Sequence, residues 1–274
     1  FGGMIRFIAM PVIMGFTAGI GVVIFVGQWA AFFGLPKAGG EHFHQQLWSL
    51  LHSLPNLHPA TAALGLFSLA LLLLMPKVPL LRRLPSPMWV LLCATVLQSL
   101  FHFEGVATVG SAYGAIPRAL PHFSLPAFSA AQTAQLILPA FTVAMLGAIE
   151  SLLSAVVADG MAGTRHSANQ ELVGQGLANI ITPFFGGFAA TGAIARTATN
   201  IRQGGNSPLA GMVHALTLAL ILLAAAPLAA DIPLAALAAI LFQVAWNMSE
   251  PKRCIRILRR APRAAVVLFF ITFF

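Results

Sequence analysis

Residues 7–28 contain no charged side chain, and apolar runs of similar character recur at 59–75, 88–103, 134–158 and 209–230. About 20 such residues cross the roughly 30 Å hydrocarbon core of a bilayer. The backbone meets no water there, so each N–H and C=O must be satisfied inside the segment, and a helix does that by itself. With 58% hydrophobic and 8% charged residues the chain is too apolar for a soluble domain. The expected fold class is an all-α polytopic membrane protein. Its start lacks the charged, apolar, then small order of a cleaved signal peptide. Because it opens at Phe1 and closes in the apolar run 268–274, we read it as a fragment. Cys93 and Cys254 offer no framework for a disulfide or a metal.

Gly15, Gly19 and Gly21 give the first span a small-residue face for a neighbouring helix. Residues 29–58 are polar, histidine-rich and broken by prolines, which predicts an exposed loop with a short surface helix. Residues 105–133 read as an outside loop with a re-entrant or extended portion. The span at 134–158 carries Pro139 and, near its centre, Glu150. Ser167-Ala168-Asn169-Gln170 resembles a capping box that opens the next span, which runs to about Phe185. Asp231-Ile232-Pro233 turns the chain into a span ending near Met248, and six basic residues between Lys252 and Arg263 precede the last one.

Between the spans ending near 185 and starting at 209 lies a different kind of segment. Pro183, Gly186 and Gly187 stop the preceding helix, a short extended piece follows, and Thr191 stands where an N-cap belongs, opening a helix over 192–203. About 12 helical residues rise roughly 18 Å, too little to cross. A half-helix that starts inside the membrane turns its unpaired N–H groups and positive dipole end toward a ligand, a device that transporters use for anions. Ala190, Gly192 and Ala193 let the backbone approach that ligand, and Arg196 adds a full positive charge one turn in. Glycine and alanine also serve simple helix packing. An arginine at the bilayer centre, however, costs about 2.5–3.5 kcal/mol on insertion scales and is kept for function.

If the half-helix returns to the side it was heading for, one face receives Arg6, Lys77, Arg82, Arg83, Arg165, Arg202 and the six cations at 252–263. Lys37 and Arg118 fall on the other, and Arg196 stays in the membrane. The positive-inside rule makes the first face cytoplasmic. The net charge of +8 then needs no nucleic-acid partner, and the basic segment lies along a cytoplasmic surface of anionic lipid.

Glu150 and Ser154 are one helical turn apart and share a face. A carboxyl and a hydroxyl so placed can exchange a proton or hold a cation, or Glu150 can simply pair with Arg196. Glu171 reads as a first-turn acid complementing its helix dipole, and Asp159 as a helix-end acid with Arg165 or His166 for a partner. His42, His44, His52 and His58 fit no tight set of metal ligands. His214 reads as a histidine of a helical interior.

The runs 150–161 (Glu150-Ser151-Leu152-Leu153-Ser154 onward), Asn169-Gln170-Glu171-Leu172 and 191–200 (Thr191-Gly192-Ala193-Ile194-Ala195-Arg196 onward) closely resemble the bacterial SulP sulfate-permease family. That family is related to mammalian anion exchangers and prestin. The resemblance implies 14 membrane segments in two inverted repeats of seven, split into a core and a gate domain, commonly followed by a STAS domain. It assigns residues 1–104 and 231–274 to the gate, 105–133 to an extracellular connection, and 134–230, with the half-helix 192–203, to the second half of the core. It implies a homodimer in the bacterial inner membrane. By the same resemblance the backbone from Ala190 through Thr191, Gly192, Ala193 and Ile194 forms the anion site with Arg196, and Glu150 with Ser154 the coupling-ion position.

The function expected is a secondary transporter carrying a small anion, such as a dicarboxylate, sulfate or bicarbonate, by an elevator mechanism. A proton is favoured over Na⁺ as coupling ion, since a glutamate and a serine stand at that position, and no other cofactor is expected. Sodium coupling, exchange and channel-like flux are the near alternatives. An intramembrane enzyme would need a paired acid or an activated nucleophile, and the sequence offers one central carboxylate and no His-Glu-x-x-His.

Overall fold

The apolar runs of the sequence fold as helices throughout the computed structural model, which describes residues 10–40, 42–78, 85–114, 119–126 and 129–273. Arg6, Arg82, Arg83 and Arg118 of the charge count lie outside the described residues. The helices are α1 (Met10–Gly27), α2 (Trp29–Phe33), α3 (Phe43–Ser53), α4 (Pro59–Leu74), α5 (Ser86–Phe101), α6 (Val109–Tyr113) and α7 (Ala130–Ala162). They continue as α8 (Ala168–Ile181), α9 (Ile194–Arg202), α10 (Leu209–Ala230), α11 (Leu234–Ser249), α12 (Pro251–Arg260) and α13 (Arg263–Phe273). Among the described residues, segments Pro11–Phe33, Pro59–Lys77 and Gln132–Ala162 are long and apolar enough to cross a membrane. The chain divides into two compact units, one of the described residues between 118 and 223, the other of those between 9 and 117 with 224–274.

Small residues organise the second of these units. On α11, Ala235, Ala236, Ala238 and Ala239 are fully buried, so neighbouring backbones come close without leaving voids. Ala236 joins Leu64, Leu72, Val90, Ala94 and Val106 in one cluster, while Ala238 and Ala239 pack with Phe32 and Phe242. The glycine face of α1 is used as the sequence predicts. A Cβ at Gly19 would stand 2.8 Å from the Phe273 carbonyl oxygen of α13, and one at Gly21 would stand 2.9 Å from the Ala245 carbonyl oxygen of α11. A carbonyl oxygen is backbone and cannot swing aside.

The histidine-rich stretch is more ordered than an exposed loop. It forms α2 and α3, with Phe32 only 2% exposed and its ring centroid 4.7 Å from that of Phe242. Single apolar anchors in a polar stretch carry no periodic signal, so the sequence reading missed them. His58 heads α4 as its N-cap, accepting from the Thr61 amide at 3.3 Å. The extended portion expected in 105–133 is present in part. The Val109 amide donates to Ile232 and the Leu234 amide to Ala107, each at 2.9 Å, in an antiparallel bridge of Thr108 with Pro233.

In the other unit α7 runs past the expected end at 158, because Gly160 is accommodated within the helix. The stop comes at Gly163, whose φ of 70° suits a residue without Cβ. Asp159 accepts from the Thr164 hydroxyl at 2.8 Å and the His166 amide at 2.9 Å, and meets His166 Nδ1 at 2.7 Å. Of its two expected partners, His166 is the one found. Ser167 is the N-cap of α8 by position, but its side chain makes no capping bond, so the capping box does not form.

Two outcomes follow from this packing. Gly19→Ala and Gly21→Ala should each lower the thermal midpoint of the detergent-solubilised protein, by overpacking worth about 1–3 kcal/mol. Gly27→Ala, with no atom near its added Cβ, should leave the midpoint unchanged. Burial, with Glu250 nearby, pushes the Cys254 thiol up. Its alkylation by iodoacetamide, scored against Cys254→Ser, should therefore be slow at neutral pH and accelerate only in alkali.

Candidate functional site

The break after α8 is built by local chemistry. Pro183 sits in a single 3₁₀ turn, Thr182–Phe185, and Gly186 closes it with φ 71°. Residues 187–193 then adopt no regular secondary structure, with Ala193 in extended backbone. Backbone that leaves a helix loses its partners, and here α8 supplies new ones. Asn179 Oδ1 accepts from the Ala190 amide at 2.8 Å, and Asn179 Nδ2 donates to the Ala190 carbonyl at 2.9 Å. Gln175 Nε2 donates to the same carbonyl. Both polar groups of Ala190 are thereby clamped by two amide side chains one helical turn apart. The i, i+4 spacing of Gln175 and Asn179 was visible in the sequence, but nothing there said where they reach.

The half-helix α9 begins later than expected. Its N-cap is Ala193 at φ −98° and ψ 113°, not Thr191, and it ends at Arg202, not 203. Thr191 is engaged elsewhere, its hydroxyl donating to the Gly147 carbonyl of α7 at 2.7 Å. An alanine has no side-chain acceptor for the first-turn amides, and among the described residues no side chain caps them. The positive end of α9 is therefore open to an outside acceptor. Arg196 lies in this first turn with an exposed side chain. Among the described residues the acid–base pairs are Asp159 with His166 and Glu250 with Arg253, so Arg196 and Glu150 are not joined.

Against this turn stands a polar stripe of α7. Ser151 and Ser154 are buried. Ser154 Oγ is 2.8 Å from Thr197 Oγ1 of α9. Gly192 lies close to both serines, and a Cβ there would be 3.5 Å from Ser154 Cβ and 3.6 Å from Ser151 Cα. Glu150 is half-buried, and among the described residues no hydrogen bond or ion pair engages its carboxylate. Glu171 departs from its expected role. Although in the first turn of α8, its carboxylate accepts from the Ser151 hydroxyl at 2.6 Å and so ties α8 to α7. A contact 20 residues apart carried no sequence signal. His214, expected in a helical interior, is on an exposed flank of α10.

Thus Thr191, Gly192, Arg196, Glu150 and Ser154 gather around the α7–α9 contact. Ala190 is held from the α8 side, and Ala193 and Ile194 form the helix start. Open amides with a guanidinium can hold an anion. A carboxylate one helical turn from a serine hydroxyl can take a proton or a small cation.

Residues 1–272 match the family described as the Sulfate permease family. YvdB of Bacillus subtilis is 45% identical over 259 residues, covering 94% of this chain and 48% of that protein. The bicarbonate transporter BicA of Picosynechococcus sp. is 35% identical over 268 residues, covering 98% of this chain and 47% of that protein. The chain spans about half the length of the curated relatives it matches. Its fold matches the transmembrane domain of a cyanobacterium bicarbonate transporter BicA with a TM-score of 0.84 at 32% identity, covering 99% of this chain and 67% of that one. The all-helical membrane architecture expected from the sequence is therefore the one found, and the family consists of transporters rather than enzymes.

Asn179→Ala should free the Ala190 amide and leave its carbonyl to Gln175 alone, lowering stability by about 1–3 kcal/mol. Hydrogen exchange should show faster deuterium uptake in 186–193 with α7 unaffected. Unchanged uptake there would mean that the amide clamp does not fix the break.

Proposed function

The chain belongs to the sulfate permease family, and on that premise we propose that it forms part of a secondary transporter that moves a small anion together with a proton. The observation that carries this reading is the open N-terminus of α9, with an alanine as N-cap and Arg196 in its first turn, against a polar stripe of an otherwise apolar helix. In this reading the backbone from Ala190 to Ile194 and the Arg196 guanidinium bind the anion. Sulfate, bicarbonate and a small dicarboxylate all present oxygens that accept from amides and arginine.

Glu150 supplies the coupling. An ionised carboxylate beside the site repels an incoming anion, and protonation removes that repulsion. By linkage the bound anion favours the proton by the same factor. Sodium is the second reading. It is favoured by the Ser154 and Thr197 hydroxyls, 2.8 Å apart, which with the Glu150 carboxylate make three hard-oxygen groups.

Residues 134–230 form the second half of the core and 1–104 with 231–274 the gate, joined by the extracellular connection 105–133, and the core moves against the gate in an elevator-type cycle. The longer protein is a homodimer of the bacterial inner membrane, with its basic loops cytoplasmic and a STAS domain in the full-length chain.

The test is uptake of labelled sulfate, bicarbonate and fumarate by the full-length protein in proteoliposomes, under an inward proton gradient with and without Na⁺. Accumulation of one anion that collapses with a protonophore is expected. Glu150→Gln should abolish the proton dependence while leaving counterflow of the anion. Arg196→Gln should weaken anion affinity about 10- to 100-fold, the worth of one charged hydrogen bond. Uptake driven by Na⁺ and indifferent to protons would overturn the proton assignment, and normal affinity in Arg196→Gln would overturn the anion site.

A further inference from the structure

The helix α12 divides into three sectors when its residues are set at 100° intervals. Lys252, Arg253, Arg256, Arg259 and Arg260 fill one arc of roughly 120°. Cys254 and Ile257 fill the next and pack onto Met14, Ala18 and Phe269. Ile255 and Leu258 form the third, and they remain 49% and 42% exposed. The docked sector fixes the helix against α1 and α13, and this orients the other two.

Arg253 is paired with Glu250 at 2.9 Å. Among the described residues Lys252, Arg256, Arg259 and Arg260 have no acidic partner, and they line a shallow concavity with Ile255. Four unpaired cations crowded onto one arc repel one another unless an anion comes between them. A soluble anion would satisfy the cations and leave Ile255 and Leu258 facing water. An anionic phospholipid satisfies both sectors, its phosphate among the cations and its acyl chains against the adjoining apolar pair.

We propose that α12 is an interfacial helix whose Lys252, Arg256, Arg259 and Arg260 cluster binds the headgroup phosphate of an anionic phospholipid, with Ile255 and Leu258 seated among the acyl chains. The partner is the anionic lipid of the membrane in which the protein sits. Lipid retention does not depend on which ion drives uptake, so this assignment and the transport reading fail separately.

The test uses the full-length protein, released from detergent and examined by native mass spectrometry after incubation with dioleoyl phosphatidylglycerol or dioleoyl phosphatidylcholine. Phosphatidylglycerol should be retained preferentially. Arg256→Gln, Arg259→Gln and Arg260→Gln should each reduce that preference about five-fold, as expected for one surface cation. A second measurement leaves the cations in place: a spin label on Ile255→Cys, with Cys93 and Cys254 replaced by alanine, read for collisions with oxygen and with a water-soluble nickel chelate in phosphatidylglycerol vesicles. Preferential oxygen access is expected. Equal retention of the two lipids, or equal loss of both in the variants, would overturn the proposal. So would free access of nickel to position 255, or displacement of phosphatidylglycerol by inorganic phosphate at constant ionic strength.

Discussion

A helix broken inside a membrane must find new partners for the backbone groups it frees, because neither lipid nor water supplies them there. That requirement accounts for Gln175, Asn179 and Thr191. Asn179 and Gln175 take both groups of Ala190, and Thr191 binds across to Gly147. Ser151 and Ser154 are engaged with Glu171 and Thr197. Among the described residues no side chain caps the amides at the start of α9, which stay open. The site is thus defined by what the scaffold leaves unsatisfied, and the scaffold holds those amides in a fixed direction.

The two compact units meet the demands of a membrane chain by different means. The unit holding α1, α4 and α11 relies on close approach, with glycines and alanines where helices touch and few polar bonds between them. The unit holding α7, α8 and α9 relies on side-chain hydrogen bonds between elements, several of them from carboxylate, amide and hydroxyl groups. The first means tolerates apolar change and resists any added atom. The second tolerates added bulk on its exposed flanks and is sensitive to the loss of a single polar group.

Much of this was legible from the sequence. The glycine face of α1, the sequence of spans and the position of the broken helix all rest on local pattern, and local pattern is what a sequence displays. The N-cap of α9 was not legible. Thr191 is the better cap by intrinsic preference, and only the Gly147 carbonyl, 44 residues away in the chain, draws its hydroxyl elsewhere. The same holds for Glu171. A first-turn acid on α8 suffices to explain itself by the dipole, and its bond to Ser151 exists only because α7 and α8 pack together. His58 was hidden for another reason: histidine is an uncommon N-cap, and nothing in its neighbourhood distinguishes a cap from a loop residue.

The assignment of Glu171 to Ser151 bears on the charge balance of the proposed site. With that carboxylate engaged, Glu150 is, among the described residues, the acid left free on α7 beside the serines that contact α9, whose first turn carries Arg196. An empty site with one free carboxylate and one guanidinium is close to neutral. Binding a monovalent anion alone makes it negative, and a divalent anion more so, in surroundings where unbalanced charge is costly. Adding one proton or sodium ion at Glu150 restores the balance for a monovalent anion and halves the imbalance for a divalent one. In the proposed reading, an anion and a cation arriving together are favoured over either alone, which is the thermodynamic content of symport. On that reading, removing the Glu150 charge would abolish the need for the cation without removing the anion's proposed ligands, so coupling and binding would reside in separable groups.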